Sequence, residues 1–318
     1  MSVLDLFDSF QEVVNASPKM VEEARSRRKS FEAAFLAEPD VPEVIPSGSL
    51  ARGTHKDPIH DVDLVVVFDP EEHPAWGSSG ESAALALDDV RSRVNDLLGA
   101  TNGTADRLVR LAKWRNHAVK CFLDDPDDPD AFTVDVMPAL RHGDQLLVPE
   151  AISEKWIVCD PEYLIAEVRA RHAAWGHYAG TVRMLKWWAA EQPVKIKSLV
   201  VEVLALDYLP TDRSRPAALR EFFTRAEYAV RSGIVVEDPA GLCGPIQLDL
   251  DYDDLADRLD TASDLASQAL VAQANNDVPR ASRRWGAVFG DLFPLVAAAV
   301  GTGASDDGPR PVKDTPQG

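Results

Sequence analysis

Cysteine is scarce in this sequence: there are three, Cys121, Cys159 and Cys243, far apart and without metal-ligand spacing. They read as reduced, structural thiols. Long apolar runs are missing too, since none approaches the roughly 20 residues that span a bilayer. The first stretch, MSVLDLFDSF, carries acids where a signal peptide carries bases. A cytoplasmic protein without membrane contact is expected. Basic residues are in deficit, with 33 Lys and Arg against 52 Asp and Glu and a net charge of −19. An enzyme that tracks long RNA or DNA presents an extended basic surface, because phosphate neutralisation supplies most non-specific affinity. No long nucleic acid partner is therefore expected. Basic clusters at Arg25-Ser26-Arg27-Arg28-Lys29 and across Arg107, Arg110, Lys113 and Arg115 leave a local basic patch open, beside the bland reading of solvated helix faces. No internal repeat is visible.

What is present suits two lobes, since 318 residues at 45% apolar content can build a core in each. Residues 4–37 carry apolar side chains at helical spacing, broken near Pro18, and predict one or two helices packed behind a catalytic sheet. A helix follows over Ala83–Leu98. Thr104–Lys113 reads as helix or turn, and 118–123 reads as a strand. From about Ser153 the pattern is helical, with Trp156 and Asp160-Pro161 as a start and further helices over Tyr163–Trp175, the Thr181–Trp188 region, Ser198–Leu209, Pro216–Ser232, Leu255–Gln273 and Arg280–Phe293. The expected division is 1–150 for the catalytic lobe with its amino-terminal helices, 151–300 for a helical lobe, and 301–318 for a disordered tail rich in Gly, Pro and Asp.

The chain is organised around IPSGSLARGTHKDPIHDVDLVVVFDP, residues 45–70. A small-residue turn at Ser47-Gly48-Ser49 leads through a polar loop into an apolar strand from Val62 to Phe68. Asp61 and Asp63 stand at the strand's mouth, and period-two alternation sends both to one face. Two carboxylates on a rigid edge suit a hard divalent cation, and a third suits a two-ion phosphoryl-transfer site better. Asp135 is the candidate third, set between Val134 and Val136 in FTVDVMP, where an acid would be costly in a core. The sheet is expected to run from the Asp61/Asp63 strand through 118–123 to the Asp135 strand. On the phosphate side, Gly48 lets the backbone approach closely and Ser49 adds a hydroxyl. The bland reading is an edge strand whose aspartates are merely solvated. The acid run Asp124–Asp130 lacks the fixed spacing of a calcium loop and reads as a solvated hairpin.

Gly-Ser followed by Asp-x-Asp at a strand entry, with a further strand aspartate downstream, resembles the polymerase-β-like nucleotidyltransferase superfamily. The form GSLARGT…DVDLVVVF is similar to the branch containing cyclic GMP-AMP synthase, oligoadenylate synthetases and bacterial CD-NTases. In the second half, VRMLKWWAAEQPVKIKSLVVEVLALDYL resembles that branch's LK…S…E element, which implies that Lys186 and Ser198 contact the triphosphate. Val236-Glu237-Asp238-Pro239 and the Ala281–Gly290 stretch match more loosely. Relatives often place an aromatic residue directly after that serine to stack on the donor base, and Leu199 stands here. Lys186 also lies off the main apolar stripe of its helix, where the bland reading is a solvent-facing lysine.

The resemblance implies an α+β fold with a mixed sheet, a helical second lobe and the active site in the cleft. It implies two Mg²⁺ ions, or Mn²⁺, on Asp61, Asp63 and Asp135, and a cradle of Gly48 and Ser49. Nucleoside triphosphates would be the substrates, and a cyclic di- or trinucleotide messenger in anti-phage signalling the product. Asp135 is expected to help deprotonate the attacking ribose hydroxyl. Two alternatives stay open: nucleotide transfer to an RNA 3′ end or a protein, and an inert nucleotide-binding sensor. Some CD-NTases are conjugated through a carboxy-terminal glycine by a partner ligase, which the ending Pro316-Gln317-Gly318 would permit.

Overall fold

A computed structural model describes residues 1–99 and 107–297; the expected tail at 301–318, with its ligase contact, lies outside the described residues. Two helices open the chain. In α1 (Val3–Val14), Ser2 and Asp5 cap each other's backbone N–H reciprocally, and in α2 (Pro18–Leu36), Ser17 caps Met20 and Pro18 occupies the first turn. The sheet follows as β1 (Glu43–Ser47), a short helix α3 (Gly48–Arg52), β2 (Asp61–Phe68), α4 (Ser82–Leu98), β3 (Leu111–Trp114), β4 (Val119–Phe122), β5 (Thr133–His142), β6 (Gln145–Glu150) and β7 (Lys155–Cys159). Helices complete the chain: α5 (Pro161–Ala174), α6 (Tyr178–Ala190), α7 (Ser198–Tyr208), α8 (Arg215–Arg231), α9 (Tyr252–Ala274) and α10 (Val278–Phe289).

The sheet is mixed, in the order β1-β2-β5-β4-β3, with β6 and β7 extending it from the far end of β5. β2 and β5 are parallel and all other pairs antiparallel. This corrects the expected order: the 118–123 strand lies outside β5, not between β2 and β5. β4 and β5 form a hairpin across the acid loop, whereas α4 lies between β2 and β5 in the chain and supplies the long crossover a parallel pair needs. Residues 111–113 are strand, not helix or turn, and Trp156 belongs to β7, so the helix starts only at Pro161, with Asp160 accepting a hydrogen bond from Tyr163 N.

The two amino-terminal helices part company. Ala24, Phe31 and Phe35 of α2 pack with Val62, Leu64 and Val134 behind the sheet. By contrast Leu6, Phe7, Phe10 and Val14 of α1 enter the core of the second-half helices, with Phe7 edge-on to Trp285 at 5.0 Å. The expectation that both pack behind the sheet therefore holds for α2 alone. The break at Pro18 frees α1 to place its aromatic stripe against α10, whose Trp285 and Phe289 offer the larger apolar surface.

β2 explains how one strand serves core and site together. Val62, Leu64 and Val66 face the α2 side, while Val65 and Val67 face a second cluster with Ile45 and Val148. That second face is exposed only at Asp61, and Asp63 beside it is half-buried.

Candidate active site

Strand register assembles the carboxylates. Asp63 pairs with Asp135 across the parallel β2/β5 ladder, Ser47 pairs with Asp63 from β1, and Lys120 of β4 pairs with Asp135 from the other side. Residues in register share a face, with neighbouring strands about 4.8 Å apart. A single row across the sheet thus reads Ser47, Asp63, Asp135, Lys120, and Asp61 sits two residues up β2 on the same face. Both outer members were legible in the sequence only once the pairing was known.

Burial and mutual repulsion dominate the acids. Asp63 is pushed up to about 7, first by burial and then by Asp61 and Asp135. Burial also raises Asp135, against the opposing pull of Lys120, and its Oδ1 is buried without a hydrogen-bond partner. Asp61 is exposed. Beside them Gly48 and Ser49 begin α3, with the Gly48 backbone lying directly on the Asp63 carboxylate.

Lys186 is not solvent-facing. It is 5% exposed and donates from Nζ to Glu202 Oε1 at 2.9 Å and to the Thr54 carbonyl at 3.0 Å. Glu202, 1% exposed, also accepts from Arg52 Nε and Thr54 Oγ1, each at 2.8 Å. Burial alone would raise Glu202, but Lys186 and Arg52 outweigh it and hold its carboxyl down to about 2. The network ties the turn after α3 to α6 and α7. Glu202 was the missed residue, and its signal was present: an acid set between two valines in SLVVEVLALDY, four residues after Ser198 and so on its face of the helix.

These groups line one cavity of about 400 Å³, walled by Gly48, Ser49, Asp61, Asp63, Lys186 and Ser198 among others. Asp135 is not among its lining residues; it joins through the sheet register. Ser198 is exposed at the first position of α7, and Leu199 is half-buried between this cavity and a neighbouring one of about 490 Å³. His55 and Lys56 line the first cavity as well, and burial followed by the charge of Arg183 pushes His55 down to about 4.

Among the described residues no group of three or more His, Cys, Asp or Glu side chains is gathered closely enough to hold a metal ion as it stands. The donor set nevertheless fits one. Two desolvated carboxylates in register, a third beside them and an orphaned Asp135 oxygen form an anionic site that Lys120 and Arg52 offset only in part, and a hard cation with oxygen preference would relieve it.

The sequence model of the nucleotidyltransferase domain family matches residues 28–116, which span α2 to β3. The cyclic AMP-AMP-AMP synthase of Escherichia coli (strain MS 115-1) is 26% identical over 288 residues, covering 80% of this chain and 78% of that protein. A solved structure of E. coli MS115-1 CdnC with ATP aligns at a TM-score of 0.68 and 20% identity, covering 91% of this chain and 98% of that one. The CD-NTase CdnG of Bradyrhizobium diazoefficiens, solved with GTP, aligns at 0.63 and 13% identity, covering 89% and 98%. A nucleotidyltransferase is thus the class that domain and fold define. Within that class the chain has the CD-NTase fold, as its motifs implied.

Proposed function

We propose that this chain joins nucleoside triphosphates into a cyclic di- or trinucleotide with release of pyrophosphate. The observation that carries the reading is the β2/β5 register, which sets Asp63 beside Asp135 with Gly48 and Ser49 alongside. Asp61, Asp63 and Asp135 would hold two Mg²⁺ ions, or Mn²⁺. Bound there, the ions neutralise charge on the attacking and departing oxygens and make the attacking hydroxyl more acidic.

The chain's own groups do the rest. An ammonium has three donors, and two on Lys186 are spent on Thr54 and Glu202, so the third is free for a phosphate oxygen. The hydroxyls of Ser49, on α3, and Ser198, on α7, supply two further donors from the lining of the cavity. Asp135, desolvated and with Oδ1 unpaired, accepts the ribose hydroxyl proton. The freed oxygen bonds to the α-phosphorus, and the bond to the bridging oxygen breaks, that oxygen leaving with the electron pair on pyrophosphate.

The name of the E. coli relative supports a cyclic product. The acidic balance of the chain also favours small substrates over an RNA 3′ end. The resemblance supports a messenger role in anti-phage signalling. Incubation with all four labelled triphosphates and phosphatase, with and without tRNA, tests the reading. Phosphatase-resistant small products are expected from wild type and none from Asp61→Asn with Asp63→Asn at a melting temperature no lower than wild type. Label on tRNA would replace the cyclic product by transfer to RNA. Triphosphate binding without pyrophosphate release would leave a sensor.

A further inference from the structure

The basic cluster on α2 does not behave as a simple solvated face. Arg25, Arg28 and Lys29 lie three and four residues apart, and like charges at that spacing destabilise a helix. Arg28 is paired with Glu32 at 2.8 Å, whereas among the described residues Arg25 has no carboxylate within 4 Å. Arg25 and Arg28 instead rim a cavity of about 550 Å³, closed on the far side by Arg169 of α5, which likewise has no carboxylate partner among the described residues. The sole carboxylate lining it, Glu162, is held by Arg141 at 2.9 Å. Its floor is apolar, formed by buried Ile45, Leu50 and Ile165. In a chain of net charge −19, a recess with guanidinium groups and no free carboxylate runs against the overall balance.

This recess shares a wall with the catalytic cavity. Leu50 and Ala51 of α3 line the recess, while Gly48, Ser49 and Arg52 of the same helix line the front cavity. α3 is little more than one turn long, so a shift of Leu50 carries Ser49 and Arg52 with it. The charge of Arg25 also reaches His55 in the front cavity.

We propose that the cavity between α2, α3 and α5 binds a small molecule carrying an anionic group on an apolar body, and that this ligand acts on the catalytic cavity through α3. The chemistry follows from the lining. A bare inorganic anion would satisfy the rim and leave the floor wet, whereas a wholly apolar ligand would cover the guanidinium groups without pairing them. The site itself does not depend on the cyclic-nucleotide reading; the coupling rests on that reading's placement of triphosphate in the front cavity.

The probe is anilinonaphthalene sulfonate, titrated by fluorescence against the full chain. One-site saturable binding is expected, weakened at least about tenfold by Arg25→Gln with Arg169→Gln, as loss of two charge-assisted contacts requires. The melting temperature of that variant should stay within a degree of wild type, since both side chains are exposed. Saturating dye should also change ATP affinity by at least about threefold in wild type and leave it unchanged in the variant. Binding that persists in the variant, or that ATP abolishes by direct competition, puts the dye elsewhere and overturns the site. ATP affinity that ignores the dye overturns the coupling. A chain that binds no ATP removes the reading of the front cavity and the coupling with it, while the dye titration still decides the site.

Discussion

The carboxylate of Asp63 rests on the α-carbon of Gly48: a β-carbon there would fall 1.6 Å from Asp63 Oδ2 and 2.5 Å from its Cγ. Gly48 also has φ of +69°, which L side chains rarely adopt. Gly48→Ala should therefore displace Asp63 from its register with Asp135. Turnover should fall at least about a hundredfold, as ångström-scale misplacement of reacting groups does. The left-handed backbone should cost about 1 kcal/mol of stability. Steady-state pyrophosphate release with a urea melt checks both, and turnover within threefold of wild type would show that the contact is not needed.

Divalent ions should stabilise the fold by relieving the carboxylate row. Adding Mg²⁺ to chelator-treated wild type is expected to raise Tm by a few degrees, through binding to the native state alone. Asp61→Asn with Asp63→Asn should abolish that shift. Differential scanning fluorimetry decides it, and an equal shift in the variant would place the ion outside the row.

Glu202 makes acid stability a property of the contact that ties α3 to α6 and α7. Its folded value of about 2 lies below the ordinary 4.5, so its contribution is present above pH 4.5 and is lost as pH falls from 4.5 towards 2. That displacement corresponds to about 3 kcal/mol at neutral pH. Glu202→Gln should leave Lys186 and Arg52 without their anion and cost about 3–5 kcal/mol at pH 7. Urea unfolding at pH 7, 4 and 3 should show a smaller loss on acidification in the variant than in wild type, and parallel curves would contradict the assignment.

Leu199 tests the departure from the aromatic residue of relatives. It is half-buried on the wall of two cavities, so a larger ring has room. Leu199→Tyr should tighten ATP binding by about 1 kcal/mol through one base–aromatic stack. Tm should be unchanged. Weaker binding together with a lowered Tm would mean that the ring overpacks the helical core and that Leu199 does not meet the base.

Much of this protein was legible in one dimension because its chemistry is local. Gly48, Ser49, Asp61 and Asp63 fall within sixteen residues, and period-two alternation alone puts both aspartates on one face. The apolar run of β2 and the valines around Asp135 likewise reveal a strand that carries an acid. The helical spacing after Asp160, with Pro161 and Pro216 in first turns and Pro193 in a loop, located α5 to α10 to within a few residues, whereas β7 was read as part of a helix.

What the tertiary structure decided is everything that depends on pairing at long range. Strand order is not written in any segment, so only the fold shows β5, and not β4, beside β2, and with it Asp63 against Asp135. Lys186 lies on the polar side of its own helix pattern, and only the arrival of Glu202 and the Thr54 carbonyl turns that side inward. Helix periodicity reports which residues face away from water, but not which neighbour covers them. For the same reason α1 could be placed as a helix from its spacing, while its partner, α10, is more than two hundred residues away.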